Sequence, residues 1–167
     1  MSFTSSETDL VELESGFSMK RSNPALANFL LNNSIETTSL TPRTLSESIK
    51  KIRNSKLPDP RIEPNAGSMF KNPIVKIKDF DNDFLIGHRW DQDESMTKLS
   101  AARLIELIKS DLNIPDTLRL YEKHSLVLVN NGGATFNEIV NFLSQIQDKI
   151  SKEFNIQLIV EPEIISS

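Results

Sequence analysis

Between Lys56 and Pro73 the chain carries Pro58, Pro60, Pro64 and Pro73 around a single glycine, Gly67, and this stretch limits the possible folds more than any other. Each proline fixes its own φ and drives the residue before it toward extended backbone, so the segment is not helical and has little freedom to lose on ordering. Stiff irregular backbone is costly unless it holds something. Lys56, Ser68 and Asn72 place a cation, a hydroxyl and an amide along this one loop, which therefore reads as a site and not as a linker.

The 167 residues suit one domain, or one domain with a tail, and 38% hydrophobic content is enough for a compact core. No apolar run approaches the length of a spanning helix, and the Ser/Thr/Glu-rich start lacks the basic and apolar regions of a secretory signal, so a cytoplasmic protein is expected. There is no cysteine, which rules out disulfides and thiolate metal sites. A net charge of −4 with one Trp and one Tyr gives no electrostatic footprint for nucleic acid. Any anionic ligand must then be held by a few local cations.

Residues 1–9 read as a tail. Val11, Leu13, Phe17 and Met19 alternate with polar residues as in a strand with one buried face, although an extended tail that merely alternates fits equally. Asn23-Pro24 opens a short helix ending near Asn32, and Thr41-Pro42 opens a second with Leu45, Ile49 and Ile52 at helical spacing. Ile74 to Ile77 suits a short strand. Asp79 to Glu94 is acidic and irregular around Trp90; its Asp91, Asp93 and Glu94 lack the glycine and distal glutamate of a calcium loop and read as solvated surface.

Lys98 to Leu112 has the pattern of an amphipathic helix, and Ser125 to Asn130 that of a buried strand stopped by Asn131-Gly132-Gly133. Thr135 and Glu138 form a capping box ahead of a long helix to about Phe154, with Phe136, Ile139, Val140, Leu143, Ile146 and Ile150 on its inner face. Ile156 to Glu161 is expected as a last strand, broken by Pro162. The order helix, strand, helix, strand predicts an α+β fold, a small mixed sheet covered by helices on one side.

Gly-rich nucleotide loops, metal spacings and a His/Asp pair serving Ser68 are all missing from this sequence. What remains is Ser68, Lys56, Asn72 and the terminal Glu161-Pro162-Glu163. Lys56-Leu57-Pro58-Asp59-Pro60 followed by Asn65-Ala66-Gly67-Ser68-Met69-Phe70-Lys71-Asn72-Pro73 resembles the signature of the C-terminal domain of the UDP-N-acetylenolpyruvoylglucosamine reductases, also called UDP-N-acetylmuramate dehydrogenases. The resemblance continues, in family order, through Lys98 to Ile105, His124 to Asn130 and Phe154 to Glu163, and covers about residues 24–164.

The resemblance implies a step of bacterial cell-wall synthesis, and so of cell shape and division. Reduced FAD, recharged by NADPH, gives a hydride to the enolpyruvyl group of UDP-N-acetylglucosamine enolpyruvate, and the adjacent carbon takes a proton. Ser68 matches the family's proton donor, and Glu163 the acid that stabilises the enolate-like carboxylate. For that task Glu163 must be protonated, so burial and neighbouring negative charge are expected to raise its pKa. Lys56 and Asn72 match contacts to the diphosphate, and His124 falls near another substrate contact.

Each residue also has a plainer reading. Ser68 suits a turn, Lys56 a helix C-terminus, Asn72 a loop amide bonding backbone, Glu163 a solvated end and His124 a surface or core position.

The family's flavin-binding region has no counterpart in this sequence, so no FAD-binding residue is assigned. Residues 1–22 are expected to be a tail and orphan strand similar to the end of that region, and residues 23–167 the substrate-binding domain. Alone the chain is expected to be inactive, needing a separate FAD-binding domain as partner. A non-catalytic UDP-sugar-binding or protein-interaction module derived from the same domain is the alternative. Met69 stands where the family usually has an aromatic residue, and Ile108 to Tyr121 lacks the family's customary glycines.

Overall fold

The computed structural model describes residues 24–36, 40–79 and 87–165. The expected tail and strand at Val11 to Met19, and part of the acidic stretch, lie outside them. The chain divides into two compact units, residues 1–56 and 57–167. No helix among the described residues is long and apolar enough to cross a membrane.

The first unit contains α1 (Pro24–Asn32) and α2 (Pro42–Lys56), which pack on each other and bury Leu26, Leu30 and Ser48. Proline at the first helical position explains both starts. At α2 the Thr44 N–H donates to Thr41 Oγ1 and the Thr41 N–H to Thr44 Oγ1, a reciprocal cap. The helix runs one turn past Arg53 and ends at Lys56.

In the second unit β1 (Asn65–Ser68), β2 (Ile74–Lys76), β3 (Arg89–Asp91), β4 (Met96–Leu99), α3 (Ala101–Ile108), β5 (Leu118–Leu120), β6 (Val127–Asn130) and α4 (Phe136–Phe154) follow in order. The α+β class is as expected. The strands form two antiparallel three-stranded sheets, β1-β6-β5 and β2-β4-β3, in place of one mixed sheet; short connections turn β3 back on β4 and β5 back on β6, while β1 and β2 pair across longer ones.

Leu118, Leu120 and Leu128 face the main core with Phe70, Leu99, Leu104, Ile105, Phe142, Ile146 and Ile150. On the opposite face of the same sheet Tyr121, Val127 and Val129 gather with Leu57. The capping box at Thr135 is present, and the Thr135 N–H and hydroxyl hold the Glu138 carboxyl below its ordinary pKa. Asn155 ends α4 in the left-handed conformation at φ 56°.

Three expectations are corrected. The helix expected from Lys98 begins at Ala101, since Lys98 and Leu99 belong to β4 and Ser100 is the N-cap. Ile156 to Glu161 forms no strand: Val160 makes a single bridge to Phe70, flanked by Lys71 N–H donating to the Ile159 carbonyl and Glu161 N–H to the Met69 carbonyl, both 2.9 Å. Pro162, with no N–H, ends the ladder there. Phe136 is 54% exposed, because α4 begins beyond the edge of the core it covers from Phe142 onward.

Candidate functional site

The proline-rich loop is anchored by its own side chains. Asp59 accepts from the Arg61 backbone N–H and Nε at Oδ1 (both 3.0 Å) and from Nη2 at Oδ2 (2.6 Å), and the Ile62 and Glu63 N–H groups donate to its carbonyl. These bonds from the Arg61 side chain and backbone lower the Asp59 pKa to about 2. A folded pKa below the ordinary carboxylate value makes this contribution to the turn complete above that value, and it is lost as pH falls through about 2. Carboxyl titration followed by NMR is expected to centre near 2 in the native chain and near the ordinary value in Arg61→Ala; an unshifted titration in that variant contradicts the arrangement.

Beyond the turn, Glu63 forms an ion pair with Arg119 of β5, which ties the loop to the sheet. Asn65 Nδ2 donates to the Glu63 carbonyl and the Gly67 N–H to Asn65 Oδ1. Asn65 lies opposite Val129 and Ser68 opposite Val127, so β1 carries one extra residue, a bulge. Gly67, at φ +79°, absorbs it; a side chain there would find space but a strained backbone.

Ser68 is thus held on a four-residue strand, not on an irregular loop as the sequence suggested. Facing pairs share a side of the sheet, so Ser68 looks out with Val127, away from the helix-covered core. It is half-buried, and among the described residues its hydroxyl has no hydrogen-bond partner.

Glu163 follows directly after the segment that pairs with Met69 to Lys71, so the chain's end runs antiparallel beside the Ser68 strand. Its carboxyl is exposed, which corrects the expected burial: it stands beyond Pro162 at the rim, where no described element folds over it. Asn72 uses Oδ1 to accept from the Ala101 N–H at 2.9 Å, capping α3, so its Nδ2 amide is the part turned to other contacts. The plainer reading of Asn72 as a backbone-bonding amide therefore describes half of the side chain. His124 is half-buried in the turn between β5 and β6, where its N–H donates to the Tyr121 carbonyl. Lys56 is exposed at the C-terminus of α2, in the other unit.

A cavity of about 300 Å³ lies on the core side of β1, under Met69, Leu118, Leu128, Ile139, Leu143 and Val160. Its wall is apolar apart from Asn65 and Asn130, and neither Ser68 nor Glu163 reaches it. A flavin dinucleotide needs donors for a diphosphate and room for two ring systems, and this cavity offers neither. No group of acidic or histidine side chains among them is arranged to hold a metal ion.

Sequence reasoning missed Arg103, Glu106 and Ser125, which sit between Asn72 and His124. The Arg103 N–H donates to Ser100 Oγ, Arg103 Nη1 lies 3.4 Å from Glu106 Oε2, and Ser125 Oγ lies 3.4 Å from Glu106 Oε1. Residues separated in sequence meet here through α3, which no local pattern reveals.

Residues 59–165 match the family model described as UDP-N-acetylenolpyruvoylglucosamine reductase, C-terminal domain. Proteins named UDP-N-acetylenolpyruvoylglucosamine reductase are similar to this chain in Buchnera aphidicola subsp. Acyrthosiphon pisum (39% identical, over 80% of this chain and 38% of the relative), Polynucleobacter asymbioticus (36%, 74% and 37%) and Shewanella baltica (35%, 89% and 44%). The chain spans less than half the length of these curated relatives. With the matched region running from the Asp59 turn through Ser68 and α4 to the segment beyond Glu163, the chain belongs to the family of UDP-N-acetylenolpyruvoylglucosamine reductase C-terminal domains.

Proposed function

We propose that this chain is the substrate-binding and proton-donating part of a flavin-dependent UDP-N-acetylenolpyruvoylglucosamine reductase of peptidoglycan synthesis, acting in the cytoplasm on UDP-N-acetylglucosamine enolpyruvate. The observation that carries the reading is the presentation of Ser68: a hydroxyl without a described partner, on a strand whose bulge Gly67 accommodates, with the Glu163 segment paired alongside. FAD and NADPH would supply the hydride, and their binding falls to residues other than those described.

The residues of this chain handle the proton and the substrate's anionic end. A serine hydroxyl is a very weak acid, but an enolate-like carbon is basic enough to take its proton when the two are held in line, and fixed geometry is what β1 provides. Glu163 stabilises the carboxylate of the reacting group. Lys56 contacts the diphosphate as a compact charge and Asn72 Nδ2 as a directional donor, and His124 lies near another contact to the substrate. Residues 23–167 are the substrate-binding domain, and residues 1–22 are a remnant of the flavin domain.

A ligand bound by the native state alone raises its stability by RT ln(1 + [L]/Kd), about 2.7 kcal/mol at a hundredfold excess over Kd. Adding UDP-N-acetylglucosamine enolpyruvate to the chain is therefore expected to raise its melting temperature, and N-acetylglucosamine without the nucleotide is not. No shift, or the same shift with both sugars, contradicts the reading.

A further inference from the structure

We infer that Asn65 is a positioning residue for the Ser68 hydroxyl: its side-chain amide clasps the one-residue bulge that turns Ser68 to the outer face of the β1-β6-β5 sheet. The inference deepens the reading of Ser68 as proton donor and rests on it. Backbone bonds tie β1 to β6 on both sides of the bulge, with the Asn130 N–H donating to the Pro64 carbonyl at 2.9 Å and the Met69 N–H to the Leu126 carbonyl at 2.8 Å. Between them Asn65 lies opposite Val129 and Ser68 opposite Val127, three steps along β1 against two along β6. Side chains alternate along a strand, so a regular ladder from Asn65 would set Ser68 opposite Leu126, on the helix-covered face with Leu118, Leu120 and Leu128. The extra residue puts the hydroxyl on the other face, with Val127 and Tyr121.

Packing does not hold the bulge in this shape. Gly67 has φ +79°, and apart from the adjacent residues an added Cβ would meet nothing within 4 Å, so no neighbour restrains it. Glycine also has more backbone freedom to lose on ordering than any other residue. The restraint comes from Asn65, which uses both ends of its amide. Nδ2 donates to the Glu63 carbonyl at 2.7 Å, before the bulge, and Oδ1 accepts from the Gly67 N–H at 2.9 Å, within it. The second bond orients the peptide group that enters Gly67, one residue from Ser68. Glu63 is in turn paired with Arg119, so the clasp is referred to β5, the far strand of the same sheet. A turn amide that only stabilises the loop accounts for the same two bonds, but its effect would not depend on what stands at position 68.

Turnover of a reductase that joins the full chain to the flavin-binding part of the Buchnera relative separates these accounts. Asn65→Ala is expected to lower kcat about 10- to 100-fold, the scale of a misplacement of about 1 Å, with KM for the enolpyruvyl sugar and bleaching of the flavin by NADPH near native values. Asn65→Asp, which can make the same bond to the N–H two residues on, is expected to retain most of the turnover. Added to Ser68→Ala, Asn65→Ala is expected to change kcat by less than about threefold, since no hydroxyl is left to place. If Asn65→Ala melts too low to assay, Asn65→Ser, whose hydroxyl makes such a bond more weakly, takes its place and is expected to lower kcat by less, again only where Ser68 is present. An unchanged kcat, a loss as large without Ser68 as with it, or equal losses in Asn65→Ala and Asn65→Asp overturns the inference and leaves the proposed function in place. Native turnover by Ser68→Ala overturns both.

Discussion

Ser68→Ala is expected to slow turnover about 10²- to 10⁴-fold in a reductase in which this chain replaces the corresponding C-terminal part of the Buchnera relative, the usual contribution of a positioned acid or base. The substitution removes one oxygen from a half-buried position whose hydroxyl bonds to no described residue, so the fold loses little. Effects on binding and on chemistry are separable for the same reason. KM for the enolpyruvyl sugar and bleaching of the flavin by NADPH are both expected to stay near native values while substrate-dependent NADPH oxidation falls. Turnover within a few fold of native would remove Ser68 from the reaction and return it to the role of a strand residue.

Phe70→Ala is expected to cost about 3–5 kcal/mol, measured from the midpoint of urea unfolding. Phe70 is fully buried, two residues after Ser68, and its backbone bridges to Val160. Deleting its ring opens a cavity in the core shared with α3 and α4, and it loosens the bridge that, with its two flanking hydrogen bonds, lays the C-terminal segment beside the Ser68 strand. Because a domain of this size is stable by only about 5–15 kcal/mol, the variant stands near the edge of folding. Ile62→Ala, at a position 79% exposed, is the control and is expected to change stability by less than about 0.5 kcal/mol. Equal losses at the two positions would contradict the placement of Phe70 in the core.

Most of the helices were legible because their signals are local. Proline at the first position of α1 and α2, and the Thr135–Glu138 box at α4, act within a turn and need no tertiary partner. The run Val127–Asn130 was legible as a strand by its apolar character. By contrast β1 is four residues with a glycine in it and exists only through pairing with residues some sixty positions away, so its own sequence reads as loop. Arg89–Asp91 and Met96–Leu99 are polar or mixed, and Thr97 is buried by packing that no pattern announces. The three residues Leu118–Leu120 are too short to alternate convincingly.

The candidate site shows the same division. The stiff loop drew attention to Lys56, Ser68 and Asn72, but their roles, and His124 itself, came from resemblance to a family. The capping of α3 by Asn72, and the Arg103–Glu106–Ser125 group beside it, depend on how α3 meets two loops, and only coordinates show that.

Substrate-dependent NADPH oxidation by the chimera of this chain with the flavin-binding part of the Buchnera relative tests the central claim most directly. The account expects oxidation above background only when UDP-N-acetylglucosamine enolpyruvate is present. A folded chimera that holds flavin, accepts electrons from NADPH and passes none to the enolpyruvyl sugar would contradict it.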